Sequence, residues 1–199
     1  AERDSREAML VRLQLTPRSD LGALALETGG LLIDHGWIRM LGGGPPPLNL
    51  AVANGLDEQP DGPPASLLVA YDVLGGKYAI NGGPLPGSPG EVCHFAPDEL
   101  AWWPMEMGHH DFVAWSFTDR LAQFNEHLRW DGWEAEVAAL GLDEGIAVYP
   151  FPFTAEGQDL GQVTRRPAPI SELLTIWDQL AAQVGGLADG QSFRFDVRD

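Results

Sequence analysis

The chain alternates apolar runs with short polar or glycine-containing turns in three places, a pattern typical of antiparallel β-hairpins. The turns are Asp34–Gly36, Leu74–Gly76 and Pro97–Glu99. The paired runs are Leu31–Ile33 with Trp37–Leu41, Leu67–Val73 with Lys77–Asn81, and Val92–Phe95 with Ala101–Trp103. These runs predict a mainly antiparallel sheet built from hairpins.

Helical spacing is clearest in Ile170–Val184, where Leu173, Trp177 and Leu180 share one apolar face. The other predicted helices are Leu21–Glu27 after the capping residues Ser19 and Asp20, a stretch from Asp111 in which Thr118 and Asp119 could cap a second helix from Arg120, and Trp133–Leu140. Ala8–Leu15, Ile146–Phe151 and Ser192–Val197 predict further strands, and Gly42–Pro64 predicts a loop. Together these elements predict one α+β domain over residues 1–199, with the helices packed on one face of the sheet.

The charge balance limits the classes of partner. The 199 residues carry 29 acidic and 12 basic side chains, a formal net charge of −17. Nucleic acids and anionic membranes attract basic surfaces, so neither is expected as a partner. The acidic surface either keeps the protein soluble or faces a basic protein partner. We expect a cytoplasmic location and no cofactor.

Five stretches of the chain resemble an uncharacterised bacterial family, the domain-of-unknown-function family 2625. They are Glu27–Gly44, Leu67–Gly83, His94–Trp115, Leu128–Leu140 and Ala147–Thr154. The resemblance covers nearly the whole chain and implies no activity. It also implies further helical residues upstream of Ala1, so we expect the chain to lack an N-terminal helical segment.

A looser resemblance is to the SUKH superfamily of Smi/Knr-like regulators and bacterial toxin-immunity proteins. It rests on the order of a helix with a glycine end, Leu21–Gly30, followed by Asp72 and the pair Gly75-Gly76. This resemblance implies an α+β fold and an immunity-like, protein-binding role.

Two histidine–aspartate clusters are candidates for chemistry. Asp34 and His35 could act as an acid–base pair, but a hairpin turn uses the same residue types for backbone hydrogen bonds and unusual φ angles. His109 and His110, next to Asp111, are potential metal ligands without a metal-binding spacing, so we predict no metal site. Asp111 could instead cap a helix.

The tryptophan pair is the best sequence indication of a recognition surface. Trp102 and Trp103 are neighbours in a predicted strand, so alternation directs one of the two side chains outward. No serine or glycine motif of a known catalytic or phosphate-binding type is present, so no catalytic residue is predicted. The single cysteine, Cys93, lies in an alternating strand pattern and is expected to be a packed thiol.

Two functions from different classes remain open at this point. The first is a non-catalytic protein-binding, immunity-like domain that uses Trp102 or Trp103. The alternative is an enzyme or small-molecule-binding domain that uses the region of His35, His109 and His110 with Asp34, Asp72 or Asp111. Convergence of these histidines and aspartates on one concave pocket would favour the alternative.

Overall fold

The computed structural model describes residues 2–56 and 64–184. The strands are β1 (Leu31–Ile33), β2 (Ile38–Met40), β3 (Ser66–Asp72), β4 (Lys77–Asn81), β5 (Glu91–Ala96), β6 (Ala101–Gly108), β7 (Glu144–Tyr149) and β8 (Thr164–Pro169). The helices are α1 (Glu2–Arg12), α2 (Asp20–Glu27), α3 (Leu50–Ala53), α4 (His109–Ser116), α5 (Asp119–Phe124), α6 (Trp133–Ala138) and α7 (Ile170–Val184), with a 3₁₀ turn at Glu126–Leu128. The predicted strand Ser192–Val197 lies outside the described residues.

Strands β1 to β6 form one antiparallel sheet in sequence order, and β7 pairs with β8 in a second, two-stranded sheet. The three predicted hairpins are confirmed, because β1 pairs with β2, β3 with β4, and β5 with β6. Each pair is joined by a short connection, which lets the chain form the whole sheet from neighbouring segments. The predicted α+β class with a mainly antiparallel sheet is therefore confirmed.

Helices pack against both faces of the six-stranded sheet. Tyr78 and His94 are opposite each other on β4 and β5, and Phe112 of α4 packs on the Tyr78 ring at 5.1 Å between ring centroids. Lys77 and Phe95, the adjacent pair, project from the other face, where Trp177 of α7 joins Phe95 in an apolar cluster. Helices were predicted on one face of the sheet. In the structure α4 covers one face and α7 covers the other.

The predicted strand Ala8–Leu15 is wrong, because the structure places α1 there. Met9, Leu10 and Leu13 are all buried. Spacings of three and four residues place side chains on one side of a helix, and α1 packs against α2. The short run Ala8–Leu15 has too few residues to separate this spacing from a strand pattern, so tertiary packing decides the conformation.

The sequence analysis also missed two elements. Strand β8 contains Pro167 and Pro169, which weaken a strand prediction but are tolerated on an edge strand. Among residues 2–56 and 64–184 it pairs with β7 alone, so the missing proline N–H groups interrupt no second ladder there. Within the predicted loop Gly42–Pro64, Asn49 caps the short helix α3 by accepting a hydrogen bond from Val52 N at 3.0 Å.

Candidate functional site

A cavity of about 330 Å³ opens beside the connection between β5 and β6. Its walls combine aromatic rings, carboxylates and two imidazoles. The lining residues are His94, Ala96, Asp98, Glu99, Trp103, Phe124 and His127. We refer to it as the Trp103 cavity.

Strand alternation positions the tryptophan at this cavity. Trp103 is paired with His94 across β5 and β6, and its side chain is 54% exposed. Its neighbour Trp102 points to the opposite face, where it meets Phe95 at 5.5 Å between ring centroids. Of the two predicted tryptophans, Trp103 is therefore the one available to a ligand.

The rim of the Trp103 cavity is acidic. Asp98 Oδ2 accepts a hydrogen bond from His127 Nε2 at 3.2 Å. Its other oxygen, Oδ1, is enclosed and has no hydrogen-bond partner among the described residues. Glu99 is exposed beside it. Glu99 and Asp98 Oδ2 are therefore the carboxylate oxygens that a ligand at the rim can reach.

The floor of the cavity is a buried polar pair. His94 Nε2 lies 3.9 Å from Asp72 Oδ2, and neither atom has a hydrogen-bond partner among the described residues. The other oxygen of Asp72 accepts hydrogen bonds from the backbone N–H groups of Leu74 (2.9 Å) and Gly76 (2.8 Å). Tyr78 stacks on the His94 ring, and burial, reinforced by the Asp72 charge, holds the pKa of the tyrosine well above its usual range.

The Trp103 cavity belongs to a larger concave surface. The segment Phe124–Asp131 borders it and three further cavities of about 330, 350 and 440 Å³. The neighbouring 330 Å³ cavity shares Asp98, Glu99 and His127 with the first, so these side chains form a ridge between two hollows. We call this surface, bordered by Phe124–Asp131, the grooved face.

Asp34 and His35 occupy a tight turn and do not face each other as an acid–base pair. Their φ angles are +54° and +58°, the left-handed region in which aspartate and histidine are tolerated. Asp34 forms an ion pair with Arg129, and the His35 ring lies edge-on to Trp133 at 5.7 Å. The turn interpretation accounts for both residues.

His109 and His110 begin α4, and Gly108 holds the N-cap position that Asp111 was expected to occupy. Asp111 instead lies in the first turn. Burial lowers the pKa of His109 to about 4, so its imidazole is neutral at physiological pH. The exposed His110 pairs with Asp20, and this hydrogen bond raises its pKa.

The predicted histidines and aspartates therefore occupy separate places. His35, His109 and His110 line neither the Trp103 cavity, nor its three neighbours on the grooved face, nor a fifth cavity between α1 and α3. The same residues contain no group of three His, Cys, Asp or Glu side chains able to hold a metal ion. Cys93 is buried, as expected of a packed thiol, and burial raises its pKa.

Sequence reasoning missed several residues of the cavity. Asp98 and Glu99 belong to the predicted third turn, so their position after a strand and before the tryptophan pair was an available signal. Phe124 and His127 come from a different element and reach the cavity through tertiary packing. No pattern in the neighbouring sequence indicates that these two residues lie close to the β5–β6 turn.

Within the described ranges, no helix is both long and apolar enough to cross a lipid bilayer.

Comparison with known proteins gives a family and relatives. The model of the family described as "Protein of unknown function DUF2625" matches residues 1–173. The uncharacterized protein YbfG of Escherichia coli (strain K12) is 38% identical over 178 residues, which cover 89% of this chain and 81% of that protein. An uncharacterized protein of Haemophilus influenzae is 32% identical over 158 residues, covering 75% of this chain and 66% of its own length. No solved structure matches the chain.

Proposed function

The chain belongs to the DUF2625 family, whose relatives named above are uncharacterized. From the geometry we propose that it binds a basic protein partner, without catalysis, through the grooved face. In this proposal the domain acts in the cytoplasm and neutralises or sequesters its partner, as the SUKH-like pattern implies for an immunity-like protein.

The observation that carries the proposal is the exposed Trp103 beside the carboxylates of Asp98 and Glu99. Its side chain is 54% exposed at the wall of a cavity, and Asp98 and Glu99 stand at the rim. Tryptophan is enriched among residues that dominate the binding energy of interfaces. A concave aromatic site with an acidic rim supports a partner that contributes cationic and apolar groups.

The overall charge supports the same partner. With a formal net charge of −17, the protein attracts basic proteins over distances longer than a contact. Electrostatic steering mainly raises the association rate, and added salt weakens it.

One observation favours the alternative of an enzyme or a small-molecule-binding domain. His94 lies on the floor of the Trp103 cavity with Asp72 behind it, and an aspartate behind a histidine can orient the imidazole for proton transfer. The arrangement expected from the sequence, centred on His35, His109 and His110, has no such support, because these residues line none of the cavities described above. The binding function is preferred because no described group beside the cavity is placed as a nucleophile for His94 to activate.

The test is capture of a partner from the native host, followed by measurement of its association rate at increasing ionic strength. We expect a basic partner whose association slows steeply with salt, and whose capture is lost with Trp103→Ala. Tyr149→Ala is the matched control, since Tyr149 is a similarly exposed aromatic (57%) on the second sheet and should leave capture unchanged. An acidic partner with salt-independent association would contradict the proposal.

A further inference from the structure

We infer that the Trp103 cavity is a receptor for a single arginine side chain of the partner. This inference rests on the proposed function and adds the chemistry of the contact. Three features of the cavity carry it: an exposed indole, carboxylates at the rim, and a second aromatic ring in the lining.

The protein already binds its own arginines in this way at two places. The guanidinium of Arg129 lies 4.0 Å from the centroid of the Trp133 ring while pairing with Asp34. At the other place, Arg165 lies over Trp130 and pairs with Glu136. Each site combines an indole face with a carboxylate, and each is occupied by a guanidinium.

The Trp103 cavity repeats this combination without an arginine of its own. Among residues 2–56 and 64–184, no lysine or arginine lies over the Trp103 ring. Glu99 is exposed at the cavity, and Asp98 contributes Oδ2, the oxygen that it shares with His127. An indole face and two carboxylates attract a cation by cation–π and charge-assisted contacts.

Arginine fits these contacts better than lysine. A guanidinium is planar, so it can stack on the Trp103 ring and still direct N–H groups at the carboxylate edge. Phe124, 37% exposed, also lines the cavity and offers apolar contact to the methylene groups of the side chain. His127 is the competing donor, because it donates to the same oxygen of Asp98.

The test uses two small probes, N-acetyl-arginine methylamide and its neutral analogue N-acetyl-citrulline methylamide. The full chain is titrated with each at low ionic strength and about pH 8, where an ordinary histidine is neutral. Binding is followed by the NMR signal of the Trp103 indole N–H, which is assigned with Trp103→Phe. We expect the arginine probe to shift this signal and to bind at least about fivefold more tightly than the citrulline probe.

The carboxylates are tested by the double variant Asp98→Asn, Glu99→Gln. We expect it to weaken binding of the arginine probe by about tenfold and to leave binding of the citrulline probe unchanged. Glu106→Gln, at an exposed glutamate of β6 that does not line the cavity, should change neither. An unfolding midpoint for each variant shows that the fold is retained.

The outcomes separate this inference from the proposed function. Equal binding of the two probes, or a shift confined to other indoles, overturns the arginine receptor. Capture of the basic partner that survives the double variant also overturns it, while leaving the proposed function intact. Selective binding of the arginine probe in a protein whose partner is acidic supports the receptor and removes the proposed function.

Discussion

The β3–β4 hairpin and the β5–β6 hairpin belong to the same sheet, and each carries an aspartate where its chain turns. Asp72 is fully buried, and one of its oxygens accepts two backbone hydrogen bonds from its own turn. Asp98 is partly exposed, and its neighbouring side chains line two cavities. The first carboxylate holds the turn together, while the second faces a space that a ligand can enter.

The difference arises from what covers each turn. Helix α7 lies against the β3–β4 turn, where Trp177 Nε1 donates a hydrogen bond of 2.7 Å to Leu74 O. The β5–β6 turn borders the segment Phe124–Asp131, and two cavities lie beside Asp98 there. Similar hairpins therefore differ in how far the turn is covered, and in the proposed function the less covered β5–β6 turn serves recognition.

The largest effect is expected from Trp177→Ala, which removes the cover of the β3–β4 turn. The side chain is 2% exposed and contacts Phe95, Phe151 and Phe153. Truncating a buried aromatic of this size should lower the free energy of unfolding by about 3–5 kcal/mol. Chemical denaturation measures it, and an unchanged midpoint would show that this helix face is not part of the core.

The two aspartates provide the direct comparison. Asp72→Ala leaves the N–H groups of Leu74 and Gly76 buried without an acceptor, and should cost about 2–3 kcal/mol of unfolding free energy. Asp72→Asn keeps an acceptor oxygen and should cost less. Asp98→Ala should change stability by less than about 1 kcal/mol, because its hydrogen bond to His127 is partly exposed. Equal losses for Asp72→Ala and Asp98→Ala would end the distinction between the two turns.

A glycine pair tests how tightly each region is packed. Gly75 (φ +86°) lies in the β3–β4 turn, where an added Cβ would meet Trp177 Nε1 at 2.6 Å. Gly90 (φ +91°) precedes β5 and has open space at the same position. Gly75→Ala should therefore cost about 2 kcal/mol from strain and overlap, and Gly90→Ala about 1 kcal/mol from strain alone. Similar thermal denaturation shifts for both variants would show that packing on the turn contributes nothing.

The hairpins could be predicted from sequence because their information is local. Period-two alternation and turn residues such as Gly75-Gly76 specify strand, turn and register within about fifteen residues. The conformation of Ala8–Leu15 could not be predicted, since contacts with α2 choose between helix and strand. Strand β8 was not predicted because it contains Pro167 and Pro169. A strand accepts proline only at the edge of a sheet, and the sequence does not show which strands lie at an edge.

In the candidate site, too, the features set by neighbouring residues could be predicted and those set by tertiary packing could not. Alternation along β6 correctly separates Trp103 from Trp102, because it depends on neighbouring residues alone. The partners of Trp103 in the cavity, Phe124 and His127, lie more than twenty positions further along the chain, and only tertiary packing brings them to the turn. Asp34 and Asp72, which the sequence suggested for binding, are instead engaged in the first two hairpins.

The smallest effect on stability is expected from Trp103→Ala, although it should abolish binding. With 54% of the side chain exposed, truncation should lower the free energy of unfolding by less than about 1 kcal/mol. Trp102→Ala is the matched variant on the same strand, and should cost more because Trp102 packs against Phe95 on the α7 side. Partner capture should follow the opposite order, with a larger loss for Trp103→Ala. If Trp103→Ala unfolded the protein as readily as Trp102→Ala, the indole would be part of the structural core, and the β5–β6 hairpin would serve stability just as the β3–β4 hairpin does.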